Sequence, residues 1–488
     1  MVLEQVYNLS KQILPPQYYP HVAVSSAVLL VTYAFAQGRT TNRERDLHAR
    51  TFIVTGAFTP LGITLITALA SRGAHIIALS QYPLEHPQPA LLIPLLRSTT
   101  NNQNIYADYA NLSSPESIRT FCSKFLTEGD QRLDGIVFAH EYHGIGSRLG
   151  TKKLMEQRRE EASIASFLIM TLLLPALLVA PIERDIRIVS VINPFYAAAL
   201  PSFSKQLANE FAAEPQAPSL ESQGIFLVEG HRALRTAVFA RHLQRVLDAL
   251  PNRGPTLDGK KNAKDTSARP QIKPKHSNII SISVCPGISR ADTVAPLLNA
   301  DREAASSSWR GLLLYFLLYP LLWLLAKSPT AALQSVLHVL FLPTPFKRAL
   351  AQVTAATDPS AQESTPKPDI DDKMPEEVLK PGALYRECMV VTLQVPPLPE
   401  DFLKAKDEEE KKRKSSKKTK DEKVVELDDD GEFGGEIVGR TVWEWYEMKL
   451  KEWEAREKAS KPAEKDSKSG DKVQPSDTSK PSEASTSS

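Results

Sequence analysis

Cysteine is scarce in this chain. Its three, Cys122, Cys285 and Cys388, have no paired or C-x-x-C spacing, which excludes a disulfide framework and a thiolate-built structural metal site and points to a reducing compartment. Net charge is scarce too. With Lys+Arg 59 against Asp+Glu 57 the formal value is +2, so bulk charge gives no reason to bind nucleic acid, and no basic groove interleaved with aromatics is there to do so locally. A G-x-S-x-G nucleophile elbow is missing, which removes the hydrolases that depend on one. The N-terminal apolar stretch falls slightly short of the ~20 residues that span a bilayer. Glu4 and Lys11 precede it instead of a basic cluster, and no A-x-A site follows cleanly, so a cleavable signal peptide is not expected.

Three regions follow from composition. Residues 1–49 carry that stretch, His21 to Gln37, which is free of acidic, Lys or Arg side chains and is followed by Arg39, Arg43 and Arg45. It reads as a membrane anchor whose basic flank keeps the next domain cytosolic, the alternative being an amphipathic or core-packed helix. Residues 50–395 form the expected folded domain, within the usual single-domain limit of roughly 300 residues, with polar loop insertions at about 251–275 and 358–380. Residues 396–488 are a charged, low-complexity tail. Its run "KAKDEEEKKRKSSKKTKDEK" is most simply a solvated insert, and a cluster touching anionic lipid is the sharper alternative. One helix is expected there, at 436–459, where Val442, Tyr446, Leu450 and Trp453 make a stripe fit for a protein partner. From Ser460 the chain is Ser/Lys/Pro-rich, a composition of disorder.

Within the domain, apolar strand runs alternate with helical patterns. "TFIVTGAFTPLGITLITALASRGAHIIAL", Thr51 to Leu79, reads as strand, Gly-containing turn, helix with Leu61, Leu65, Ile66 and Leu69 on one face, and a second strand. A short strand in "NIYADY", a helix from Pro115 capped by Ser114, a strand at Leu133 to His140, a helix at Glu160 to Leu178 and a strand at Ile186 to Ile192 follow. A helix at Arg232 to Leu250 and a strand from Asn278 ending at Pro286-Gly287 continue the alternation. Gly311 to Ala326, broken by Pro320, suggests a hydrophobic hairpin in a membrane surface or the wall of a substrate pocket. "PTAALQSVLHVLF" supplies a last core helix and "ALYRECMVVTL" one short closing strand. The fold class is therefore α/β, a Rossmann-type doubly wound parallel sheet.

In order, "VTGAFTPLG", "ANLSSPESIR", "RIVSVIN", "LRTAVFARHL" and "VCPGISRAD" are similar to the landmark segments of the short-chain dehydrogenase/reductase family, particularly its membrane-associated retinol dehydrogenase and WW-domain oxidoreductase-like branch. The resemblance runs from about Arg50 to Leu393. It implies NAD(P) as cofactor, with Thr55, Gly56, Pro60, Leu61, Gly62, Asn111, Leu112, Pro286 and Gly287 at the cofactor positions. Pro60 stands for a family glycine and lacks the N–H that would face a pyrophosphate, and Asn111 replaces an aspartate. After the second strand, Ser80 and Gln81 leave NAD and NADP undistinguished.

The resemblance also implies a catalytic tetrad: a tyrosine acid/base, a lysine that lowers its pKa, a serine on the substrate carbonyl and a supporting asparagine. Here those positions hold Glu229, Ala233, Asn193 and Ser163. The first expectation is accordingly a membrane-associated pseudoenzyme that holds a nucleotide or acts as a scaffold. The alternative is a divergent NAD(P)-dependent oxidoreductase acting on a lipophilic alcohol or ketone of lipid, sterol or retinoid type. For that alternative Tyr142, His143, Tyr196, Glu229 and His231 are substitute acid/base candidates in segments reaching the C-terminal sheet edge, the plainer reading being loop residues that face water. Partners are expected to be a membrane and a lipophilic small molecule, with no nucleic acid and no metal. By the family likeness the membrane is that of the endoplasmic reticulum or a lipid droplet, with the mitochondrial outer membrane as the alternative.

Overall fold

β1 (Thr51–Thr55) is buried along its whole length, as an apolar run covered on both faces must be. A computed structural model describes residues 18–127, 132–143, 145–146, 152–181, 184–211, 224–250, 277–300, 308–345, 377–406, 408, 427, 429 and 431–460. The loop insertion at 251–275, most of that at 358–380, most of the charged run after Lys404 and the segment beyond Ser460 lie outside the described residues. β2 (His75–Ser80), β3 (Ile105–Tyr109), β4 (Gly135–Phe138), β5 (Ile186–Val191), β6 (Ile279–Cys285), β7 (Leu384–Arg386) and β8 (Met389–Val391) join β1 in an eight-stranded sheet of order β3-β2-β1-β4-β5-β6-β7-β8. Every pairing is parallel except β7 with β8.

Successive strand residues point to opposite faces, so each strand feeds two cores. On one face Val54, Ile76 and Ile282 pack with α2 (Pro60–Ala70), α3 (Pro87–Thr100) and α9 (Pro329–Phe341). On the other, Ile53, Ile136 and Ile188 pack with α4 (Pro115–Thr127), α5 (Lys152–Val179) and α7 (Ile225–Ala249). The doubly wound architecture is thus as expected. α3 and α6 (Phe203–Phe211) were not anticipated.

Several local expectations are corrected. The closing strand is a hairpin, because Glu387 and Cys388 both take positive φ and turn the chain tightly between β7 and β8. Gly311 to Ala326 is not a hairpin but one helix, α8 (Trp309–Leu325), with Pro320 inside it. It is exposed almost throughout. α7 begins upstream of Arg232, so Glu229 and His231 are helical and buried instead of facing water.

α1 (Tyr19–Gln37) buries no residue. Tyr33 stacks on Trp323 of α8 with ring centroids 4.7 Å apart, and at its root Gln37 Oε1 accepts from Ser328 N and Oγ, each at 3.2 Å. A second segment is also long and apolar enough to cross a membrane, Glu156–Val179, but it is half buried inside the domain.

The helix expected in the tail, α10 (Gly435–Ser460), is folded into the domain. Val438, Val442, Trp445, Tyr446 and Trp453 join the core, and Tyr446 stacks on Phe167 of α5 at 5.3 Å. The stripe proposed for a protein partner is covered in cis.

Candidate functional site

In a sheet of this kind ligands sit beyond the carboxyl ends of the strands, where the crossovers diverge. The glycine turn after β1 lies there, and its shape explains its two glycines. Gly56 has φ +65, and a Cβ on it would lie 2.7 Å from the backbone of His140; a Cβ on Gly62 would lie 2.0 Å from Gly56 O. Thr59 caps α2, its Oγ1 accepting from Gly62 N at 3.1 Å. Pro60 takes the first helical position, which its fixed φ suits. Leu61 N, the next amide at the open end of α2, is already used. It donates to Asp292 Oδ1 at 2.9 Å.

Asp292 is fully buried. It belongs to the turn of helix Arg290–Val294 after β6, and Ser289 Oγ donates to its Oδ2 at 3.0 Å. The chain's own carboxylate therefore occupies the place where this kind of turn receives a phosphate. Pro286 and Gly287, at the start of the same loop, have their carbonyls engaged by Lys327 Nζ at 2.9 Å and Tyr142 OH at 2.8 Å.

Beside the turn a cleft of ≈ 430 Å³ opens between Gln81 and Tyr82, the Asn111–Ser113 turn, His140 and Glu141, and a wall of Arg158, Arg159 and Arg232. Asn111 Oδ1 accepts from Ser113 N at 3.0 Å, which fixes the turn, and Leu112 is core. Two of these lining residues, His140 and Glu141, belong to a buried polar chain. Thr55 Oγ1 shares a 2.7 Å bond with His140 Nδ1, and His140 Nε2 meets Ala162 O at 2.9 Å. Glu141 accepts from Ser166 Oγ at 3.1 Å and Thr236 Oγ1 at 2.8 Å. Ser163 Oγ shares a 3.2 Å bond with the Tyr446 hydroxyl.

Of the four positions equated with the catalytic tetrad, Asn193, Glu229 and Ala233 adjoin one another on and beside α7, while Ser163 bonds to Tyr446. Glu229 has its Oε1 2.9 Å from Gly146 N and 2.9 Å from Arg159 Nε, and it also pairs with Arg232. Asn193 Nδ2 donates to Glu229 O at 3.2 Å. Ala233 is buried and has no polar group. Burial pushes Arg232 down to about 9, helped by the charge of Arg159, and lowers Arg159 to about 10. Two guanidiniums thus crowd one carboxylate.

Of the substitute acid/base candidates, Tyr142, Tyr196, Glu229 and His231 are buried and His143 is partly covered. Burial raises the Tyr142 and Tyr196 hydroxyls, and lowers the His231 imidazole to about 4. Each moves away from the near-neutral range that general acid/base work favours. The residues that sequence reasoning missed are Asp292, Arg159, Arg232 and Tyr446. Only the Arg158-Arg159 doublet, ahead of an apolar helix face, gave a local signal.

No protein-family model matches the sequence. Pbr1, an uncharacterised oxidoreductase of Schizosaccharomyces pombe, is 24% identical over 370 residues, 74% of this chain and 88% of its own. Dehydrogenase/reductase SDR family member 13 of Homo sapiens is 26% identical over 233 residues, 44% of this chain and 60% of its own. Among solved structures, the NADP complex of RhlG from Pseudomonas aeruginosa shares 16% identity with a TM-score of 0.32, over 50% of this chain and 74% of that one. The relatives make the chain a distant homologue of short-chain dehydrogenase/reductase oxidoreductases.

Proposed function

We propose that this is a membrane-associated short-chain dehydrogenase/reductase-like protein that holds a nucleotide in the arginine-walled cleft and does not run the family's tyrosine–lysine proton transfer. The observation that carries this reading is Glu229. At the position equated with the tyrosine stands a carboxylate fixed by Gly146 N, Arg159 and Arg232, with an alanine where the lysine would be. A reduced carbonyl needs a proton from a group free to give it, and losing that assistance typically costs about 100- to 10,000-fold in rate. The Asn111–Ser113 turn and Gln81 keep a nucleotide-sized space open.

The exposed α1 supports membrane association, since a helix of this length rises roughly 28 Å, near the thickness of a bilayer's hydrocarbon core. Kinship with the retinol dehydrogenase-like branch, and residence at the endoplasmic reticulum or a lipid droplet in preference to the mitochondrial outer membrane, are part of the same proposal. A second reading, a divergent NAD(P)-dependent oxidoreductase acting on a lipophilic alcohol or ketone, is favoured by the oxidoreductase description of the yeast relative.

Titrating NADH and NADPH into the purified protein, beside a turnover assay with retinoid, steroid and long-chain acyl ketones, separates the two. Binding without turnover is expected. Turnover abolished by Glu229→Ala or His231→Ala would establish the divergent enzyme instead.

A further inference from the structure

The cleft has an uneven charge. Arg158, Arg159 and Arg232 line it together with the single carboxylate of Glu141, and Glu141 already accepts hydroxyl bonds from Ser166 and Thr236. Behind the wall one carboxylate, Glu229, is shared by Arg159 and Arg232. Glu156 and Glu160 also act on Arg159 and Arg232 from outside the cleft. The cleft lining itself, however, presents three guanidiniums and one carboxylate, in a recess where water is partly excluded and a charge-assisted bond to an anion is strongest.

The glycine turn offers the opposite. Pro60 has no N–H, Gly62 N is bound to Thr59 Oγ1 and Leu61 N to Asp292. A diphosphate at that turn would have to displace a buried carboxylate or lie against it, charge to charge.

We infer that Arg159 and Arg232, with Arg158 at the rim, form a phosphate-binding site, and that this wall instead of the glycine turn holds the charged part of a nucleoside phosphate. Guanidinium forks match phosphate oxygens in plane and in spacing. The cleft volume of ≈ 430 Å³ accommodates a nucleoside monophosphate. The inference rests on the nucleotide-holding reading for its ligand, while the phosphate site itself is testable without it.

The full chain, purified in detergent, is titrated with inorganic phosphate, AMP and NADPH, and thermal unfolding checks that each variant is folded. Phosphate and AMP are expected to bind, with affinity falling at least about tenfold in Arg159→Gln, recovering in part in Arg159→Lys, and staying within about twofold in Asp292→Asn. If Arg159→Gln does not fold, the exposed Arg158→Gln carries the test, with an expected loss of about threefold. Phosphate binding that is lost in Arg159→Gln, with AMP and NADPH inert, sustains the site and overturns the nucleotide-holding reading. Affinity that survives the arginine variants but rises in Asp292→Asn overturns the inference in favour of the turn. A wild-type protein that binds no phosphate overturns it outright.

Discussion

α1 and α10 are inverted with respect to their compositions. α1 has no charged side chain and buries nothing, whereas α10, crowded with Glu, Lys and Arg, sends Trp445 and Tyr446 into the core at 0% and 1% exposure. Mean polarity does not decide what a helix does. α10 segregates its apolar side chains on one face, and α5 and α7 present a matching aromatic surface of Phe167 and Phe239. α1 is apolar nearly all round, and among the described residues its packing is chiefly on α8 and the loop at its root. Among the described residues no protein surface covers α1, which is what supports the proposed lipid one.

The contrast can be broken from either side. The largest effect is expected at Trp445, whose ring lies against Tyr446 at 5.0 Å and under the Arg235 guanidinium at 3.8 Å. Trp445→Ala should lower unfolding free energy by about 3–5 kcal/mol, read in urea melts. Next, Val28→Arg near the middle of α1 should weaken membrane partition by about 2.5–3.5 kcal/mol while leaving the melting temperature of the domain unchanged. Carbonate extraction and thermal unfolding measured together check both halves, and a drop in melting temperature would mean that α1 is core after all.

Acid should loosen α10 third. His242 packs against Trp443, and burial, reinforced by Arg245 and Arg440, lowers its pKa from 6.5 to about 4. The folded state therefore resists a proton that the unfolded state accepts, so this contribution is full above 6.5 and is lost as pH falls from there to about 4. The loss is on the order of 2–3 kcal/mol, and His242→Gln should flatten the pH dependence of stability in that window. The smallest effect is expected at Glu454, paired with Arg119 at the half-exposed edge of α10. Glu454→Ala should cost under about 1 kcal/mol and less in high salt.

The doubly wound sheet was legible because buried parallel strands are short, continuous apolar runs with helices between them, and Thr51 to Leu79 shows all of that within one stretch. The turn's glycines were legible for the same local reason. What closes the turn was not, since Asp292 lies 231 positions from Leu61 and nothing near either residue announces the other. Arg159, Arg232 and Glu229 likewise meet only once α5 and α7 are packed. "ALYRECMVVTL" reads as one strand and not as the β7–β8 hairpin because three residues each are too few to show a period. α8 was misjudged because Pro320 was weighted as a breaker, although a proline inside a helix can kink it without ending it.

The root of α1 is also tied to the crevice. Gln37 is clasped to Ser328, and the neighbouring Lys327 is fastened through Nζ to Pro286 O, through its own N–H to Ile288 O at 3.0 Å and through its carbonyl to Arg290 N at 3.1 Å. The loop so gripped is the one that carries Asp292 to the glycine turn. Gln37 thus lies one residue's grip away from that loop. Under the proposed membrane association, an anchor joined in this way would bear directly on the loop at the carboxyl edge of β6, and a push or pull on α1 would reach the crevice without crossing the sheet.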